Sequence, residues 1–242
     1  MPFSYLRVLT GHERTQKSNR HLARYLAFIA GAVNAGGFLA VRQYTSHMSG
    51  IVSAMADNLA LGSLSLLFAG FIAVFSFLAG ATCTSLMVRW ARQRSLHSEY
   101  ALPLILESLL LFAFGFTGHV FEDKEVLGTV ALLCFTMGLQ NAIVSKISGA
   151  VIRTTHLTGM VTDVGVKLGR MLYGQLSGTP PLANVDVRKL SLLGSLIGLF
   201  FVGGVVGALG FHHIGFKFTI PVAVTLLILA ALPALDDLRR LI

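Results

Sequence analysis

The chain has 242 residues, of which 54% are hydrophobic and 12% charged, and its mean hydropathy is +0.73. A soluble domain carries about 25% charged residues, so this composition excludes an ordinary water-exposed globule and points to a chain solvated largely by lipid. The formal charge of +8 implies no nucleic acid partner here, because membrane proteins collect surplus Lys and Arg in their cytoplasmic segments.

In chain order, residues 1–24 read as a polar, basic cytoplasmic tail and not as a cleavable signal peptide. A transmembrane helix needs about 20 mostly apolar residues. The first span is predicted over 25–41, which contains Asn34. The hexapeptide TSHMSG follows at 45–50, and 49–62 reads as a short half-helix. The second span covers 64–88, with Arg89, Arg92 and Arg94 beyond it. The third covers 101–118 and holds Glu107. The acidic loop FEDKEV at 121–126 leads into the fourth span, 126–145, which carries Gln140 and Asn141. A second hexapeptide, TTHLTG, lies at 154–159, with a second half-helix over 158–169. The fifth and sixth spans cover 190–211 and 216–235. Cys83 and Cys134 fall inside apolar runs and read as small core residues.

With six spans, sixteen Lys and Arg residues fall on one side and three (Arg42, Lys124, Lys217) on the other. The positive-inside bias then puts both termini in the cytoplasm.

The two hexapeptides belong to a longer correspondence. Gly31 and Asn34-Ala35 match Gly138 and Asn141-Ala142, and His47 matches His156. Ser49-Gly50 matches Thr158-Gly159, Leu64-Ser65-Leu66-Leu67 matches Leu190-Ser191-Leu192-Leu193, and Pro103 matches Pro221. Three spans per copy force the second copy upside down, the inverted repeat of many secondary transporters. An eight-helix count with parallel repeats is disfavoured: the first post-hexapeptide stretch is short, and the second carries Asp163, Lys167 and Arg170. The expected fold is therefore an all-α polytopic membrane protein in one membrane domain over 1–242. Its six transmembrane helices form a 3+3 inverted repeat (25–118 and 126–235), each copy with a short re-entrant half-helix. Non-helical backbone at membrane depth is tolerated inside protein or beside a water-filled cavity.

The candidate site follows from that geometry. Ser49 and Thr158 are expected to cap the half-helices, whose free N–H groups attract anions. A substrate site is expected from Asn34, Ser46, His47, Ser49, Gly50, Gln140, Asn141, Thr155, His156, Thr158 and Gly159. His47 and His156 either line it or simply bond to broken backbone. Intramembrane acids usually face a cavity or a partner, so Asp57, Glu107 and Asp163 are the candidates for coupling or proton relay. Glu107 has a structural alternative, pairing with Arg89 or Arg92 near the interface. GAVNAGG and GGVVGALG (31–37 and 203–210) have small-residue spacing suited to close helix packing. No nucleophile elbow, P-loop, zinc motif or dinucleotide fingerprint is found, so no catalytic residue, metal or cofactor is expected.

GAVNAGGFLAV…TSHMSG and MGLQNA…TTHLTGMVTDVG resemble the YoaK family of bacterial membrane proteins, a domain of unknown function, over about residues 22–235. Gly138–Ala142 and Thr155–Gly159 carry the most specific part of that likeness. Family members commonly show Asp where this chain has Asn34, and T-G-N where it has Ser49-Gly50-Ile51. The resemblance implies six spans in a bacterial membrane and supplies no substrate. The expected protein is a small transporter or channel-like permease of the bacterial inner membrane, for a small anion or organic acid, with a homodimer plausible. The rival is a non-transporting scaffold or sensor with a packed polar core. An intramembrane enzyme lacks a nucleophile–base pair.

Overall fold

The computed structural model describes residues 16–41, 43–96, 98–121, 126–147, 157–176 and 187–241. Eight α-helices follow one another: α1 (Gln16–Val41), α2 (Met48–Ala60), α3 (Leu64–Gln93), α4 (Ala101–Phe121), α5 (Val126–Ile147), α6 (Leu157–Leu176), α7 (Val187–Ile214) and α8 (Thr219–Leu241). A 3₁₀ turn, Gly215–Phe218, joins the last two. The described residues contain no strand.

At two helix ends a glycine supplies the stop. α2 stops at Gly62, which takes φ +73°, a value that costs glycine little. The Ser63 N–H then turns back onto the Asn58 carbonyl at 2.8 Å. Gly215 does the same between α7 and α8 with φ +60°. Pro103 and Pro221 are each the third residue of their helix, in the first turn where a missing N–H breaks no helical bond.

Among the described residues, four helical runs are long and apolar enough to cross a membrane: Gln16–Leu39, Leu64–Gln93, Val126–Ile147 and Val187–Asp237. The last contains α7, the 3₁₀ turn and α8. The two most apolar runs are the least buried. Only 17% of the α3 window lies inside the protein, against 67% of the α1 window. Phe68, Phe75, Leu78 and Leu86 of α3 stand outward. A water-soluble fold buries its long apolar helices; here α3 faces outward, as a lipid solvent allows.

Packing is organised by pairs: α1 lies along α7, α3 along α5, and α4 along α8. The first two pairs are built alike. A Cβ at Gly31 would strike the Phe200 carbonyl, and one at Gly203 would strike the Phe28 carbonyl. Likewise, a Cβ at Gly138 would strike the Phe77 carbonyl, and one at Gly80 the Phe135 carbonyl. Each partner is a Phe-x-x-Gly segment (28–31, 77–80, 135–138, 200–203). The small-residue runs of α1 and α7 thus do bring two backbones into contact. Thr84 Oγ1 adds a hydrogen bond to the Leu139 carbonyl at 2.9 Å across the α3–α5 crossing. α4 and α8 are joined by Ser108 Oγ to the Ala223 carbonyl (2.8 Å) and Thr219 Oγ1 to the Leu111 carbonyl (2.9 Å). The main core gathers Leu22, Leu26, Leu104, Leu111, Phe114, Leu133, Met137 and Ile143.

Three expectations need correcting. First, the helix after the second hexapeptide is not a twelve-residue half-helix; α6 runs the 20 residues Leu157–Leu176. Lys167 and Arg170 end the apolar pattern without ending the helix, because both are good helix formers. Second, the crossings set Phe28–Gly31 on Phe200–Gly203 and Phe77–Gly80 on Phe135–Gly138, and the offset from Phe77 to Phe200 is 123, three residues less than the 126 of the Leu-Ser-Leu-Leu match. Third, α1 begins at Gln16 rather than near Tyr25, since its first two turns are helical although polar.

Candidate functional site

The first hexapeptide sits between α1 and α2. Asn34 is buried on α1, and its Oδ1 accepts from both the Ser46 N–H (3.3 Å) and the Ser46 hydroxyl (2.8 Å). This pair ties the non-helical connection down where α1 ends. Thr45 is fully buried beside Gly37, and its hydroxyl finds no partner. The Tyr44 ring stacks on Phe38, with centroids 4.6 Å apart.

His47 is the residue that caps α2, correcting the expectation for Ser49. Its side chain makes no capping hydrogen bond. Its backbone N–H reaches the Tyr44 carbonyl at 3.3 Å, and its carbonyl accepts the Ile51 N–H at 3.1 Å. Ser49 falls inside the first turn and is exposed. The His47 ring lies against the α2 start: a Cβ at Gly50 would collide with its Nδ1. The first-turn N–H groups of α2 are therefore not closed by a side chain, and such groups favour negative charge.

That helix start opens into a cavity of about 350 Å³ lined by Gln43, Tyr44, His47, Gly50 and Asn58, with apolar walls from Phe38, Met55 and Leu66. A second cavity, about 420 Å³, lies between α1 and α7 and is lined by Asn34, Tyr44, Leu157, Phe200 and Phe201. Tyr44 borders both. Leu157 belongs to the second hexapeptide, and Tyr44 directly precedes the first. Thr155 and His156 lie outside the described residues. Thr158 and Gly159 are in the first turn of α6 and exposed, and a Cβ at Gly159 would meet nothing within 4 Å.

The remaining predicted residues lie elsewhere. Asp57 and Asp163 are exposed on α2 and α6. On α5, Asn141 Nδ2 donates to the Met137 carbonyl at 2.8 Å. Gln140 is fully buried, and neither end of its amide has a partner. Glu107 is also 0% exposed, with no partner at either oxygen. The structural alternative, pairing with Arg89 or Arg92, is not found: Arg92 Nε reaches Glu99 Oε2 at 2.8 Å, and Glu107 is fully buried.

Sequence reasoning missed Gln43, Tyr44 and Asn58, although Tyr44 directly precedes the hexapeptide. It also missed the Ser98–Asp237 contact, in which the Ser98 N–H (2.8 Å) and hydroxyl both donate to Asp237 Oδ2. No spacing rule links residues 139 positions apart. Among the described residues no three His, Cys, Asp or Glu side chains come together as a metal site.

Outward-facing apolar helices around buried polar groups define an all-helical, multi-pass membrane protein. Residues 22–232 match the model of a family described as protein of unknown function (DUF1275), and the chain belongs to that family. It is 24% identical over 196 residues to UPF0700 transmembrane protein YoaK of Bacillus subtilis (strain 168), covering 79% of this chain and 85% of that protein. No solved structure matches it.

Proposed function

We propose that this protein is a small transporter or channel-like permease that binds a small anion or organic acid at the start of α2. The observation that carries the reading is the opening of an α2 terminus with no side-chain cap into the cavity lined by His47, Gln43, Tyr44 and Asn58. Uncapped N–H groups, the helix dipole and an imidazole within one pocket favour a carboxylate or similar anion. Asn34 and Tyr44 extend the polar lining toward the second cavity.

The proposal places six spans in a bacterial inner membrane with both termini cytoplasmic, as a 3+3 inverted repeat. The sixteen-to-three charge split supports the orientation. The paired Phe-x-x-Gly crossings support the repeat, because exchanging the first four helices with the last four maps one crossing onto the other. The two-fold relation would put the starts of α2 and α6 on opposite sides of the centre. A homodimer belongs to the same proposal: Asp57 is exposed on α2, and a second copy would shield it from lipid.

A thermal-shift screen of the purified protein against small anions and organic acids tests the site. A ligand at a hundred times its Kd stabilises by about 2.7 kcal/mol. The expected result is a ligand-dependent rise in Tm that His47→Ala abolishes while leaving the ligand-free Tm nearly unchanged. An equal rise in His47→Ala refutes the site. The second reading, a non-transporting scaffold, draws on the closed Asn34–Ser46 hydrogen bonds; it predicts no ligand shift at all.

A further inference from the structure

Among the described residues, Glu107 and Gln140 are, with Thr45, the buried polar side chains that no neighbour satisfies at any polar atom. Glu107 lies fourteen residues before Phe121, where α4 ends; Gln140 lies fourteen after Val126, where α5 begins. These helices pack together, so the pair stands at one level, each about 21 Å along its helix from the Phe121 and Val126 ends at 1.5 Å per residue. Contacts on the other side of α4 fix the same level. The Ser98–Asp237 contact marks one end of the α4–α8 seam, and Phe114 against Phe216 (centroids 5.3 Å apart) marks the other. Glu107 is six residues, about 9 Å, past Ala101 at the start of α4 and seven residues, about 10.5 Å, before Phe114.

Of the charged and titratable groups of the surrounding elements, Cys83 shares that level, beside Thr84 on the Leu139 carbonyl, and the others stand elsewhere along their helices. α3 carries Cys83, Arg89 and Arg92; α5 carries Cys134 and Lys146; the 3₁₀ turn carries Lys217; α8 carries Asp236, Asp237, Arg239 and Arg240 within its last six residues. Arg92 is taken by Glu99 and Asp237 by Ser98. Cys134 packs with Ile51, Ala73 and Val130.

An ionised carboxylate at that depth, without a counter-charge, is costly. The neutral acid offers one O–H donor and one C=O acceptor, and an amide matches both. Once ionised, the carboxylate only accepts, and only the N–H side of the amide can answer it. The two protonation states thus require different arrangements of one pair. A hard metal cation fits poorly, since it takes about six or more oxygens. The geometry points to Glu107 as a reversible proton-binding site, with Gln140 as the amide that responds to its change of charge. One proton from water adds to a carboxylate oxygen and later returns to water; no other bond forms or breaks. Any use of that proton to drive a solute rests on the permease reading above, but the binding does not.

Infrared difference spectroscopy on the full-length protein in lipid nanodiscs, stepped between acidic and alkaline buffer, tests this. The expected spectrum has a carboxylic-acid carbonyl band present in acid, absent in alkali and lost in Glu107→Gln. Gln140→Leu should shift the band, because the amide that answers the acid at that level is removed. Glu107→Asp should move the band rather than remove it, and this arm serves if Glu107→Gln fails to fold. A wild-type difference spectrum identical to that of Glu107→Gln, or a Glu107 band that ignores pH, would overturn the proposal. No substrate is present, so a failed anion screen leaves the result standing, and a missing band leaves the anion site untouched.

Discussion

Asp237 illustrates how single polar residues hold the helix ends in this protein. Its carboxylate accepts two hydrogen bonds from Ser98 and so fastens the end of α8 to the chain entering α4. Hydrogen bonds to a charged acceptor contribute about 1.5–3 kcal/mol. Asp237→Ala should therefore lower stability by about that amount, read as a fall in Tm of the detergent-solubilised protein, with Asp237→Asn losing less. Deeper in, Thr84 donates to the Leu139 carbonyl across a helix crossing. Side-chain hydrogen bonds between membrane helices average about 0.6 kcal/mol. Thr84→Val should thus cost about 1 kcal/mol or less in the same assay, although the residue is fully buried. Both residues look ordinary in the sequence, because their partners lie 55 and 139 positions away.

At the level of elements, the glycine crossings set how closely the helix pairs approach. A glycine inside a helix ordinarily costs up to about 1 kcal/mol relative to alanine. The sign reverses where a Cβ would strike backbone, and overpacking costs about 1–3 kcal/mol. Gly80→Ala and Gly203→Ala should each destabilise by that amount. Gly194→Ala and Gly198→Ala, where a Cβ meets nothing within 4 Å, should be neutral or stabilising by up to about 1 kcal/mol. Thermal unfolding of the four variants checks this, and a uniform gain across all four would refute the crossings. The helices themselves were legible, because lipid-compatible length is a property of composition: 126–145 was expected, and Val126–Ile147 is found. The length of α6 was not legible, because hydropathy stops at Lys167 while the helix continues to Leu176.

For the whole molecule, the inverted arrangement makes a prediction about sides. In a variant with Cys83 and Cys134 replaced, single cysteines at positions 49 and 163, both exposed on their helices, should react with a membrane-impermeant thiol reagent from opposite faces. External reagent should label position 49 in intact cells, and position 163 only after the membrane is opened. Labelling of both from one face would contradict the inverted arrangement and the substrate site drawn from it.

The sequence by itself determined the class of the molecule, the positions of most apolar helices, the doubled hexapeptide and the close-packing glycines. These depend on composition and local spacing, which lipid and helix geometry read directly. Tertiary structure decided the rest, because each remaining question concerns what lies across a helix pair. It turned Arg92 toward Glu99 and left Glu107 buried on its own. It brought the Phe-x-x-Gly segments of α1 and α7, and those of α3 and α5, into backbone contact. It also placed Tyr44 between the two cavities and His47, rather than Ser49, at the start of α2. Polar residues in an apolar chain are easy to count, but their roles depend on neighbours that arrive from distant parts of the sequence.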